Sequence, residues 1–217
     1  HGAAQEQKVE EIIEAVGLDP NEARKRRPHE YSGGQCQRIS VARALVLDPQ
    51  VIICDEPVSS LDVSVQARIL NMLQDMKAEY GLTLLFISHD LSVVKNVSDR
   101  VAVMYLGKIC EIGDGDLIYE QPTHPYTRLL LAAIPDPENK HQAISDILEG
   151  ELPSPLDPPS GCRFRTRCPR ATEKCAEEEP EFQQLENRDH WVACHFPHLD
   201  ESEELTPSDE ILWPPAE

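Results

Sequence analysis

Basic residues are scarce in this chain: 20 Lys and Arg stand against 39 Asp and Glu, for a net charge of −19 over 217 residues. A surface that tracks a nucleic-acid backbone needs basic patches, so that function class is excluded. Long apolar runs are missing too. No stretch approaches the ~20 residues that span a bilayer, and no signal-peptide pattern is visible. The expectation is a soluble, cytoplasmic chain whose work at a membrane goes through partner subunits. The seven cysteines include no C-x-x-C pair, the short hook usual in structural zinc sites. The string G-x-x-x-x-G-K-[ST], a loop that cradles nucleotide phosphates, occurs nowhere.

What is present alternates in type. Val9, Ile12, Ile13 and Val16 follow helical spacing, predicting an amphipathic helix from about Gln5 to Val16, stopped by Gly17. Ser32 is a natural N-cap for a second helix with Ile39, Ala42, Leu45 and Val46 inward. Val51–Cys54 reads as a buried parallel strand, Val63–Tyr80 as a helix and Thr83–Ile87 as the next buried strand, followed by a short helix to about Val97. Gly107-Lys108 between two β-patterned runs signals a hairpin. Two short helices follow, and prolines 153, 155, 158 and 159 mark a linker. The fold class is α/β with a parallel sheet, plus a small irregular Cys-rich module. About two-thirds of the acidic excess lies beyond Pro135, and the end from Asp200 reads as a solvated tail.

Tyr31–Asp62 carries the chemistry. Ser32-Gly33-Gly34-Gln35 opens a helix, where backbone N–H groups can face an anion. Asp55-Glu56 stands at the end of the apolar strand, where two carboxylates can hold magnesium and orient a water beside a phosphate. Together these strings resemble the signature and Walker B motifs of ABC ATPases. The resemblance implies that Glu56 polarises the attacking water, that Asp55 holds Mg2+ through its water shell, and that Asp62 communicates across a dimer of ATPase domains. It also implies that His89, in Phe86-Ile87-Ser88-His89-Asp90, contacts the γ-phosphate of ATP. Ser32, Gly33, Gly34 and Gln35 would act in trans, on ATP held by the partner's P-loop. Tyr31 replaces the commoner leucine, and Cys36 a larger polar residue.

Thr123-His124-Pro125-Tyr126-Thr127 and Gly161–Pro169 narrow the resemblance to the ATP-binding subunits of oligopeptide, dipeptide and nickel importers. Under it, residues 1–113 are the C-terminal part of the ATPase domain, 114–150 the importer-type extension and linker, 151–198 the Cys-rich module and 199–217 the acidic tail. Without the P-loop, the expectation is a fragment that hydrolyses no ATP alone. Its partners would be a second ATPase subunit, membrane permease subunits and, indirectly, an extracytoplasmic solute-binding protein, with the chain peripheral on the inner face of the cell membrane. Nickel or another small solute, a soluble ABC ATPase outside transport, and a metal-bearing regulatory piece are the alternatives.

Cys162, Cys168, Cys175 and Cys194 cluster late in the chain and read as metal ligands, since disulfides are rare in cytosolic proteins. Four thiolates suit zinc or an iron–sulfur cluster. The C-x5-C-x6-C-x18-C spacing and Cys168-Pro169 point to a [4Fe-4S] cluster, with zinc and no metal as the alternatives. Arg163, Arg165, Arg167 and Arg170 either offset the charge of such a centre or pair with local glutamates. His190 and His195 read as structural rather than as ligands. Cys36, Cys54 and Cys110 read as small packing residues.

Overall fold

Capping residues and apolar spacing account for most elements of the computed structural model, which describes residues 2–134, 151–185, 188–199 and 205–207. The chain divides into two units, 1–97 and 98–217.

In the first unit, helix α1 (Gly2–Ala15) is followed by Gly17 at φ +72°, a left-handed turn suited to glycine. A short helix α2 (Pro20–Ala23) and a 3-10 turn at Pro28–Glu30 lead to α3 (Gly33–Leu45). Strand β1 (Val51–Asp55), helix α4 (Val63–Tyr80), strand β2 (Thr83–Ile87) and helix α5 (Leu91–Val97) complete it. β1 and β2 pair in parallel, in register from Val51↔Thr83 to Asp55↔Ile87. An intervening helix is the connection that a parallel pair requires. Ile52 and Cys54 of β1 join Leu45, Ile69, Leu73 and Met76 in one core cluster.

Two expectations need correction here. The strands are not buried throughout, because helices cover one face only. Val51, Ile53, Leu85 and Ile87 on the other face are 55%, 65%, 51% and 44% exposed. Cys36 is an exposed thiol and not a packing residue, whereas Cys54 and Cys110 are buried.

The second unit is built on antiparallel pairing. β3 (Arg100–Tyr105) and β4 (Lys108–Asp114) form the expected hairpin, its turn residues Leu106 and Gly107 both left-handed at φ 45° and 78°. Helices α6 (Gly115–Glu120), α7 (Pro125–Ala132) and α8 (Glu173–Glu177) follow, then strands β5 (Phe182–Leu185), β6 (His190–Ala193) and β7 (Leu205–Pro207). The sheet runs β3-β4-β6-β5-β7. The Cys-rich part is therefore not irregular throughout: it lends β5 and β6 to the sheet of the 100–114 hairpin. Nor is the acidic end free over its whole length, since Leu205–Pro207 pairs with β5. Residues 135–150 and the rest of the tail beyond His198 and Leu199 lie outside the described residues. Phe164, 1% exposed, centres an aromatic cluster with Tyr105 and Tyr126, each ring 5.2 Å away.

Candidate functional site

The parallel register sets the ends of β1 and β2 side by side, and each strand delivers its chemistry just past that edge. Glu56 leaves β1 at φ +49°, a left-handed conformation uncommon for a residue with a side chain, and its N–H donates to Ile87 O at 3.0 Å. Glu56 Oε1 then accepts from His89 Nδ1 at 2.8 Å. The hydrogen bond to Glu56, and after it the Glu56 charge, raises the His89 pKa above its ordinary value. The pair that sequence motifs assigned to water activation and phosphate contact thus meets in space. Asp55 is exposed beside it.

Ser32 and Asp62 are helix caps. Ser32 Oγ accepts from Gln35 N at 3.3 Å, and Gln35 Oε1 accepts from Ser32 N at 3.0 Å, a reciprocal capping box. Asp62 Oδ1 accepts from Val65 N at 3.1 Å and from the Ser64 hydroxyl at 2.7 Å. That hydroxyl, followed by the Val65 N–H, holds the Asp62 carboxyl below its ordinary range. The starts of α3 and α4 touch: a Cβ on Gly34 would lie 2.4 Å from Val65 Cγ1, and one on Gly33 3.4 Å from Leu61 Cδ2. Gly34 therefore serves helix packing, a role sequence reasoning had not separated from anion contact. Among the described residues no hydrogen bond or ion pair links Ser32–Gln35 to Glu56 or His89. Tyr31 is anchored by its hydroxyl to Ala23 O at 3.1 Å.

In the second unit Cys162, Cys168, Cys175 and Cys194 line one small cavity, together with His124, Phe164, Arg165 and Arg170. The void is about 10 Å³, roughly the room of one water. Cys162 N donates to Cys175 O at 2.8 Å, and Gly161, at φ +61°, lets that loop pass where a Cβ would meet Cys175 O at 2.5 Å. Burial raises the thiols of Cys162 and Cys168, and pushes Cys194 up to about 12. A metal binding here displaces protons. All seven cysteines are free thiols, and among the described residues no three metal-binding side chains stand at coordinating separation. The donor set is thus gathered but not drawn in. The arginines do not pair with glutamates among the described residues: Arg163 donates to Leu106 O and Arg165 Nε to Ser160 O at 3.0 Å. His195 Nε2 lies 3.0 Å from Glu178 O.

Glu111 is the residue that sequence reasoning missed. It is fully buried on β4 and accepts from Thr123 N (2.6 Å), Thr123 Oγ1 (2.7 Å), His124 N (3.0 Å) and His190 Nε2 (2.7 Å). Burial alone would raise its pKa, but the hydrogen bonds from His190 and Thr123 outweigh that and hold it below the ordinary value. Its only signal was a charge between Cys110 and Ile112 in a β-patterned run.

Residues 3–59 match the ABC transporter family. The ADP conformation of MJ1267, an ATP-binding cassette of an ABC transporter, is similar in fold, with a TM-score of 0.51 and 27% identity over 61% of this chain and 52% of that one. The chain belongs to the ABC transporter ATP-binding proteins. Within them it belongs to the oligopeptide/dipeptide branch, whose "Oligopeptide/dipeptide transporter, C-terminal region" matches residues 110–175. It is 54% identical to the oligopeptide transport ATP-binding protein OppF of Haemophilus influenzae, over 87% of this chain and 57% of that protein. Against OppF of Escherichia coli the identity is 56%, over 83% and 55%, and against AppF of Bacillus subtilis 52%, over 88% and 58%. The chain thus spans little more than half the length of the curated relatives it matches.

Proposed function

We propose that the intact protein hydrolyses ATP with Mg2+ to power peptide uptake through a membrane ABC importer. The Glu56–His89 hydrogen bond at the shared edge of β1 and β2 carries the reading. A carboxylate at that position can orient and polarise a water, while the imidazole contacts the γ-phosphate. Asp55, exposed beside them, would reach Mg2+ through water. The capped N-terminus at Ser32–Gln35 would face ATP on a second ATPase subunit, with Asp62 close to that contact. A phosphate cradle of the G-x-x-x-x-G-K-[ST] type is not among these residues. The match over 110–175 and the names of the relatives favour peptides over nickel. Permease subunits and an extracytoplasmic binding protein complete the importer, the ATPase lying on the cytoplasmic face.

The test is Glu56→Gln in the assembled transporter. Phosphate release should fall by about 10²-fold or more while ATP still binds. Turnover like that of the wild type would remove Glu56 from this role.

The four cysteines, in the same reading, hold a soft-metal centre. Their wide spacing favours the [4Fe-4S] cluster, whereas the water-sized void suits a single zinc ion. Either centre would require the four thiols that line the cavity to draw closer than they stand here. Such a centre would staple the loop 161–175 to the strand end at Cys194.

A further inference from the structure

A second cavity, of about 270 Å³, opens where the β3–β4 turn, the 161–164 loop and the paired ends of β5 and β6 meet. Small-molecule sites span about 300–1,000 Å³, so this one lies close to their lower end. Its apolar side is given by Ile109, Phe164 and Phe182. The Phe164 ring is fixed edge-on to Tyr105, at 82° and 5.2 Å. Phe182 stands opposite the small Ala193 in the β5–β6 register, which leaves the space over that strand end open.

The other side is charged. Lys108, Arg163 and Glu179 line the same cavity, two cations and one anion in a chain of net charge −19. Arg163 is half-buried and spends Nη1 on Leu106 O. Its Nε–H and Nη2–H have no partner among the described residues. Those two donors form one edge of the guanidinium fork, the edge that grips a carboxylate bidentately. Lys108 Nζ lies 2.6 Å from Glu179 Oε1, with both side chains about half exposed. Such an exposed pair is weak, so Glu179 can exchange Lys108 for another cation at little cost. The remaining titratable walls stay neutral, because burial pushes Cys110 up to about 12 and His124 down to about 4. The ATPase chemistry gives none of these residues a task.

We propose that this cavity binds a small zwitterion with an apolar side chain, a free amino acid or a dipeptide. Arg163 takes the carboxylate, Glu179 the ammonium, and the wall of Phe164 and Phe182 the side chain. A plain anion would use Arg163 and leave Glu179 spent on Lys108. A zwitterion engages both charges and releases Lys108 toward its carboxylate. The inference does not depend on the ATPase reading.

The test is calorimetric titration of the full 217-residue chain with L-phenylalanine, alanyl-phenylalanine, N-acetyl-phenylalanine and phenylalaninamide. One saturable site per chain is expected for phenylalanine or the dipeptide, and the tighter of the two identifies the source as free amino acid or peptide. Losing the carboxylate, in the amide, should weaken binding about tenfold. Losing the ammonium, in the acetylated probe, should weaken it about threefold, as befits an exposed ion pair. Arg163→Gln keeps a donor for Leu106 O and should weaken phenylalanine and its acetylated form alike, by about tenfold. Glu179→Gln, at an exposed position that folding does not need, should weaken phenylalanine about threefold and leave the acetylated probe unchanged. Far-UV circular dichroism checks the fold of both variants. Equal affinity for all the probes, or binding that neither variant changes, would overturn the assignment. So would the absence of saturation by phenylalanine and by the dipeptide up to about 10 mM in the folded wild type.

Discussion

Replacing Glu111 by glutamine should cost the second unit about 3 kcal/mol, although the change is one atom. The carboxylate accepts four hydrogen bonds in a site with no solvent access. The amide oxygen can take over three of them, those of Thr123 and His190 at Oε1. The amide nitrogen is then set against the His124 N–H, donor to donor. One buried donor left unmade costs about 1–3 kcal/mol, and the hydrogen bonds that remain pass from a charged to a neutral acceptor, which is weaker, so the loss lies at the upper end of that range. Urea unfolding followed through Trp191, 4% exposed on β6, reports on this unit. Trp213→Phe in both proteins leaves Trp191 as the sole indole. The exposed Glu177→Gln is the control and should stay within ~0.5 kcal/mol. The pH dependence adds a second readout. Glu111 titrates below its ordinary value of 4.5 in the folded chain. Its contribution is therefore complete above that value and fades as pH falls through the lower, folded pKa. The wild type should show this acid limb, and Glu111→Gln should lack it. A loss under ~0.5 kcal/mol, with the acid limb intact in the variant, would refute the argument.

Gly34→Ala should destabilise the first unit by about 1–2 kcal/mol, the overpacking against Val65 exceeding the gain in helix propensity. Adding Val65→Ala should recover part of that loss beyond additivity in urea unfolding; strictly additive losses would show that no clash exists. His89 should titrate above its ordinary value of 6.5 by NMR, and Glu56→Gln should return it there. The stabilisation from that pair is present below 6.5 and lost as pH rises through the folded pKa. An unshifted His89 would mean that the two side chains do not meet in solution.

The elements with strong local signals were legible from the chain alone. Gly81 stops α4 as its place after Tyr80 suggested, by turning left-handed, whereas the capping of the other end by Asp62 emerged only in the structure. Glu56 and His89 were named from their motifs, and their meeting followed once β1 and β2 were taken as parallel neighbours. What escaped depended on distant pairing. Nothing local to Lys108–Asp114 announces that β6 will cover it, so Glu111 looked like one more surface acid. The alternation of exposure along β1 escaped as well, since an apolar run reads the same whether one face or both are covered. Cys36 carried no sign of exposure, because a lone cysteine in a helical pattern reads as a small packing residue.

The pairing of β4 with β6 also bears on how the chain is made. Glu111 and His190 are 79 positions apart, so β4 leaves the ribosome long before its partner strand exists. During that interval its second edge is open, the situation in which strands of neighbouring nascent chains join. A charge pointing into the future core guards that edge, because a stranger strand brings no histidine to meet it. The same carboxylate that locks the finished unit thus protects the unfinished one from premature company.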